Sequence, residues 1–309
     1  MTTKIWDVII VGGGPAGLNA ALVLGRCRRT VLLFDDGKPR NAVSRKLHGF
    51  LSRDGIDPAE LRKIARSQLS QYPTVTQQKK RVVKASVITD GFAVETQDGE
   101  TFKSRRLLLA GGVVDILPEH PGFRELYGIG VFVCPYCDGW EMRDKPIAVY
   151  GRGDDKGAGL ALEMQLWSDD VVLCTDGPAD LSQESRQQLE RNHIPIREEK
   201  ISHLAYDELK EPYETSFEII FESGKSLNRN AIFFNTTRLQ SNDLATQLGC
   251  DTCDPKACNI DNNKQMTNVA GLYIAGDSSG GVLQSIVAAA EGVKAAIAIN
   301  TALLNEMFI

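Results

Sequence analysis

This chain has no basic block, no long apolar run near its start and few histidines. Its net charge is −5 and lysine and arginine never gather into a block, which argues against nucleic acid as a partner. The longest early apolar run, Val8 to Val11, is strand-sized and ends in glycines. It reads neither as a signal peptide nor as a membrane span, and no membrane partner is expected. Without an export signal, the seven cysteines are expected to be catalytic or reduced rather than a secreted framework, with the cytoplasm as the compartment. Only four histidines are present, none close to the cysteine pair described below, so no metal site is expected. No segment is low-complexity. What remains is an ordinary globular composition, long enough for two domains that each hold a core.

The chain opens as strand, glycine loop, helix, strand. Ile5 to Val11 is a β-branched run, 12–17 is a glycine-rich turn, Leu18 to Arg26 reads as a helix, and Thr30 to Phe34 as the next strand. That order is what a parallel βαβ unit requires. A second copy begins at Pro146 to Tyr150, turns at Gly151-Arg152-Gly153, continues as a helix to about Trp167, and reaches the strand Val171 to Cys174. Near the end, Gly271 to Asp277 reads as a buried strand entering a Gly-Asp turn, followed by a long alanine-rich helix from Leu283 to Asn305. Hinges are expected at Gly111 to Leu117 and at Thr236 to Asn242.

The first loop, Gly12-x-Gly14-Pro15-Ala16-Gly17, sits between strand and helix as a dinucleotide fingerprint demands. Gly12 permits the tight turn, Gly14 lets the backbone approach a pyrophosphate, and Gly17 lets helix and strand pack closely. The helix N-terminus offers free N–H groups to phosphates. Asp35, at the end of the second strand, is placed to bond a ribose hydroxyl. Lys38, Arg40 and Asn41 follow in a loop that can reach phosphate or adenine, or stand as a solvated basic loop. His48 is a further candidate beside a cofactor.

The segment Cys134-Pro135-Tyr136-Cys137-Asp138-Gly139 carries the reactive chemistry. Two thiols at this spacing can close a small disulfide, the thiolate is the nucleophile of exchange, and an acid follows to manage protons. Zinc sites and structural bridges use the same spacing, so the pair alone is ambiguous. Its position between two glycine-rich loops turns it into a candidate redox centre.

With the first loop, Cys134 to Gly139 and Gly276-Asp277 in this order, the chain resembles a low-molecular-weight thioredoxin reductase over nearly its whole length. The resemblance implies an α/β fold of two Rossmann-like domains of the three-layer ββα kind, the second inserted into the first. The FAD-binding domain would take residues 1–114 and 239–309, and the inserted NADPH-like domain 115–238. It implies one FAD per chain, a homodimer, and cofactor contacts from Gly276, Asp277 and Gln284. Cys137 would face the flavin, Cys134 would attack the substrate disulfide, and Asp138 would be the general acid/base.

The second loop departs from that family. Gly151-Arg152-Gly153-Asp154-Asp155-Lys156-Gly157 puts Lys156 where a small residue is usual, and Asp155 adds negative charge beside the pyrophosphate position. The basic pair that would hold a 2′-phosphate is replaced by Thr175-Asp176-Gly177-Pro178. These changes argue against NADPH as a cofactor. Proline and tyrosine between the cysteines, and Trp140-Glu141 after Asp138, resemble the NADPH-independent members: gliotoxin-type dithiol oxidases, ferredoxin-dependent flavin thioredoxin reductases, and a diflavin-linked disulfide oxidoreductase in which a second flavin is bound. The expected activity is an FAD-dependent disulfide/dithiol oxidoreductase. Its substrate would be a thioredoxin-like protein or a small molecule, and ferredoxin, a second flavin or oxygen its electron partner. Two alternatives stand beside it: an NAD(P)H-dependent thioredoxin reductase with a divergent nucleotide site, and a non-catalytic flavin-binding redox sensor. Cys250, Cys253 and Cys258 form a second cluster that reads as packed or surface thiols, as do Cys27 and Cys174.

Overall fold

A computed structural model describes residues 4–208, 212–254, 257–258 and 260–308, the side chains of 252–254 excepted. The backbone packs as two units. The first takes Met1–Ala42, Phe50–Asp115 and Arg238–Ile309; the second takes Val43–Gly49 and Ile116–Thr237. The second unit includes the short segment Val43–Gly49, which lies within the range 1–114 expected for the FAD-binding domain.

The first unit starts with β1 (Ile5–Val11), α1 (Pro15–Arg26) and β2 (Val31–Phe34). α1 opens three residues earlier than expected because Pro15, with its fixed φ and no N–H to leave unpaired, suits the first helical turn. α2 (Pro58–Leu69) is started by Asp57, whose carboxylate accepts from the N–H groups of Ala59 at 2.6 Å and Glu60 at 3.0 Å. There follow β3 (Val75–Gln78), β4 (Val82–Ile88), β5 (Gly91–Thr96) and β6 (Thr101–Leu109). The sheet order is β3-β2-β1-β6-β5-β4, parallel through β6 and antiparallel beyond it.

The chain leaves through the strand Val113–Ile116 and builds the second unit. Its elements are β7 (Val131–Phe132), β8 (Ile147–Tyr150), α3 (Leu160–Met164), β9 (Val171–Cys174) and β10 (Ile196–Arg197). β11 (Ile201–Ala205), β12 (Phe217–Phe221) and β13 (Ser226–Arg229) make a separate antiparallel sheet, and β14 (Ala231–Phe234) returns to the main one. The main sheet is parallel with the order β10-β9-β8-β14-β7. β8 is apolar on both faces because it lies in the middle, with Ala148 registered against Val172 on one side and Ile232 on the other.

After the strand Thr237–Gln240, β15 (Leu272–Ile274) joins the first sheet parallel to β6, and α4 (Ser285–Asn305) closes the fold. α4 is long and apolar enough to cross a membrane by length and composition. In this fold one face of it packs in the core, where Ala295, Ala296, Ile299 and Leu303 are fully buried with Ala20, Leu24 and Val8. Gly292 sets how close α4 comes to α1, since a Cβ there would collide with the carbonyl oxygen of Ala16. We expect Gly292→Val to push the helices apart and destabilise the protein by on the order of 2–3 kcal/mol, read as a lower denaturation midpoint in urea.

Candidate active site

In the first loop the backbone crosses itself at close quarters. Gly12 adopts φ +117°, and a Cβ on Gly17 would collide with the Gly12 carbonyl oxygen. This contact brings the N-terminus of α1 against the end of β1. Gly14 is its N-cap residue, no side chain caps it, and its first turn carries no acid. A Cβ on Gly14 would have no heavy atom within 4 Å, so this face stays open. Asp35 lies at the end of β2, where its Oδ1 accepts from Gly13 N–H at 3.3 Å and its Oδ2 pairs with Arg66 of α2. An uncapped helix start beside a carboxylate and a guanidinium fits the pyrophosphate and ribose of a dinucleotide such as FAD.

Arg40 and Asn41 are held by protein partners. The Arg40 guanidinium grips Asp115 in a fork of 2.7 and 2.8 Å and reaches Asp277 at 3.2 Å. Asn41 accepts from Arg62 at 3.0 Å. Burial, then the neighbouring Arg66, lowers the Arg62 pKa, while Asp35 and Asp57 oppose the shift. Gly276 donates its N–H to Glu291 at 2.7 Å, and Gln284 is the N-cap residue of α4. Asp115, Arg62, Arg66 and Glu291 had no sequence signal, because each reaches the site from a distant element.

The second loop holds a correction. Lys156 occupies the third-glycine position by count, yet Gly157 makes the close approach, with its Cβ position 3.2 Å from the Arg152 carbonyl carbon. A π turn over Asp154–Gly159 runs directly into α3, so the expected helix is one continuous run with a widened first part, and it ends at Met164, three residues short of Trp167. Asp176 sits at the end of β9 with φ +51°. Its carboxylate accepts from Ile201 N–H at 2.8 Å and lies 3.1 Å from His120 Nε2. Arg152 donates to the Thr175 carbonyl at 2.6 Å and to the Asp176 carbonyl, covering the strand end. Burial, then Asp176, raises the pKa of Tyr150.

The cysteine pair lies around a single turn, Pro135–Asp138, entered from β7. Cys134 and Cys137 are joined in a disulfide with Cα atoms 5.3 Å apart. The N–H groups of Cys137 and Asp138 both point at the Cys134 carbonyl, at 3.1 and 3.2 Å. Burial of its carboxyl pushes the Asp138 pKa up to about 7; Glu141 adds to the rise, while a hydrogen bond from Tyr213 and the charge of His48 oppose it. His48, expected beside the cofactor, packs in this unit with its Nε2 3.4 Å from Glu141. An acid that titrates near neutrality beside two sulfurs can give and take a proton within one cycle.

The other thiols are quieter. Cys174, Cys250 and Cys258 are buried; burial raises all three, Cys174 and Cys258 up to about 12, so they are poor nucleophiles. Cys27 is exposed at the end of α1, and the side chain of Cys253 lies outside the described residues. Among the described residues no group of three or more His, Cys, Asp or Glu could hold a metal ion.

The raised Asp138 pKa makes a stability prediction. A carboxyl that binds its proton more tightly when folded favours the folded state below the unfolded value near 4, and that advantage is lost as pH rises to about 7. Asp138→Asn cannot ionise, so its stability relative to the unaltered protein should climb between those pH values and then level off. The gain should reach roughly 4 kcal/mol at most, read by denaturant unfolding across pH.

The sequence profile described as pyridine nucleotide-disulphide oxidoreductase matches residues 6–292. A probable thioredoxin reductase of Arthroderma benhamiae is 29% identical, the match covering 97% of this chain and 81% of that one. Thioredoxin reductase sirT of Leptosphaeria maculans is 27% identical across 96% and 94%. Among solved structures, a putative thioredoxin reductase TrxB from Bacillus anthracis superposes with a TM-score of 0.90 at 35% identity, covering 98% of this chain and 99% of that one. HlmI gives a TM-score of 0.90 at 32% identity, with 99% and 95% covered. The chain therefore belongs to the pyridine nucleotide-disulphide oxidoreductase family and is a thioredoxin reductase-like flavin disulfide oxidoreductase.

Proposed function

We propose that this enzyme links FAD to the Cys134/Cys137 pair and that pair to an external disulfide or dithiol, with an electron partner other than NADPH. The observation that carries the last point is Asp176. A carboxylate fixed at the end of β9 by Ile201 N–H, His120 and the nearby Arg152 stands where a 2′-phosphate would have to be neutralised. The two acids of the π turn, Asp154 and Asp155, add to the repulsion of a pyrophosphate. Reduced ferredoxin, a second flavin or oxygen are the partners we propose instead.

When bound, FAD supplies the two-electron chemistry that resets the cysteine pair. Gly12, Gly14, Pro15, Ala16 and Gly17 would carry its phosphates at the start of α1, and Asp35 its ribose, with Gly276, Asp277 and Gln284 completing the site. Cys134 is the interchange thiol, Cys137 resolves the mixed disulfide, and Asp138 carries the proton between leaving and entering sulfurs. Relatives named thioredoxin reductase support the disulfide of a thioredoxin-like protein as substrate.

A second reading is an NAD(P)H-dependent enzyme. It is favoured by Gly157, which restores the close approach of the fingerprint, and by the Arg152 guanidinium at the strand end. Anaerobic mixing separates the two: we expect no rapid flavin bleaching with micromolar NADPH, and fast, complete bleaching would establish the second reading. Cys134→Ser should abolish turnover with a disulfide acceptor under whichever donor reduces the flavin. Unchanged turnover would remove Cys134 from the exchange step.

A further inference from the structure

Tyr213 lies in the loop before β12, 75 residues beyond Asp138, and its hydroxyl donates to Asp138 Oδ1 at 3.0 Å. We propose that Tyr213 is the positioning residue of Asp138, fixing the carboxyl of the proton carrier and steadying its ionised form. The assignment rests on Asp138 being the proton carrier of the cysteine pair.

Three features show that Tyr213 is held in place rather than swept there. Its backbone has φ +72°, a left-handed conformation that is unfavourable for a bulky aromatic residue and persists only where surroundings enforce it. Its N–H donates to the Ile129 carbonyl at 3.1 Å, and its own carbonyl accepts from Lys145 Nζ at 2.7 Å. Its ring stacks on Phe132, with centroids 5.6 Å apart and planes 17° off parallel. Phe132 ends β7 and lies two residues before Cys134. The hydroxyl and the disulfide are therefore referenced to the same strand.

Three groups act on the Asp138 carboxyl. Glu141 favours its protonated form by like charge; His48, paired with Glu141, and Tyr213 favour the carboxylate. Burial and the neighbouring Asp138 raise the pKa of Tyr213 itself, so the phenol remains a donor at every pH where the enzyme works.

The proton count then closes. Cys134 thiolate attacks a substrate disulfide while Asp138 holds the proton that thiol gave up. The substrate S–S bond breaks, the departing thiolate takes the proton, and Asp138 is left ionised against the Tyr213 hydroxyl. Cys137 passes its proton to Asp138 and attacks the Cys134 sulfur. The second substrate thiolate leaves and takes that proton. Two enzyme thiols become a disulfide as one substrate disulfide becomes two thiols.

The test is the pH profile of one half-reaction in the full flavoprotein. The cysteine pair is reduced with dithiothreitol, freed of it anaerobically, and mixed with hydroxyethyl disulfide; samples are quenched, alkylated and weighed by mass spectrometry. The unaltered protein should show an inflection near pH 7. Tyr213→Phe should move it upward by about one pH unit, because the bond to the carboxylate is gone. A fluorinated tyrosine at 213, a stronger donor, should move it downward. An inflection that stays put in Tyr213→Phe, with only the plateau rate reduced, overturns the proposal. If that variant fails to fold, an unmoved inflection in the fluorinated protein overturns it equally. Asp138→Asn is the control on the underlying reading: should the inflection survive there, Asp138 is not the proton carrier and the failure lies upstream of Tyr213.

Discussion

Backbone contact without intervening side chains holds the first unit in its working shape. At Gly17 the start of α1 touches the carbonyl of Gly12, and at Gly292 α4 touches the carbonyl of Ala16. Both contacts fall within one helical turn. They place the N-terminus of α1 at the tip of β1 and wedge it there from the opposite side. The open face at Gly14, the orientation of Asp35 and the seating of α4 all follow from this double approach. Side-chain packing by Leu18, Leu24 and Ile299 then fills the remaining volume.

The second unit solves a different problem. It sets two sulfurs and an acid, all three half-buried, on one short turn. Pro135 starts the turn, the Cys134 carbonyl collects two N–H groups, and Tyr136 and Trp140 are left exposed. One helical turn thus keeps the reactive pair and the residue that serves it together. The energetic cost of ionising the buried carboxyl is offset in part by the Tyr213 hydroxyl and the charge of His48, while Glu141 adds to it.

Local signals in the sequence reveal much of this. The βαβ openings are legible because a β-branched run, a glycine turn and a helix follow one another within one window, and both sheets form there as expected. The Cys134 to Gly139 motif is legible for the same reason. What the sequence hides is everything carried by distance. Arg66 meets Asp35, Asp115 meets Arg40, and Tyr213 meets Asp138 from elements with no shared spacing. The antiparallel strand β4, with only Val82 and Ala85 buried, gives no strict alternation either. His48 illustrates the limit: the short segment that carries it, Val43–Gly49, is flanked on both sides by chain of the first unit, yet it packs with the second.

The π turn over Asp154–Gly159 has a consequence for how such loops are compared. With Lys156 at the counted position, Gly157 one residue on approaches the backbone of Arg152, and β8 and β9 pair in register. Counting along the chain registers a lost glycine; the folded loop shows one a residue later. The two descriptions lead to opposite expectations for the same protein. A motif defined by spacing treats the shift as decay, whereas the folded chain sets two acids, Asp154 and Asp155, on a turn that still closes. Divergence among such loops can therefore proceed by changing what the turn displays without dismantling the turn itself.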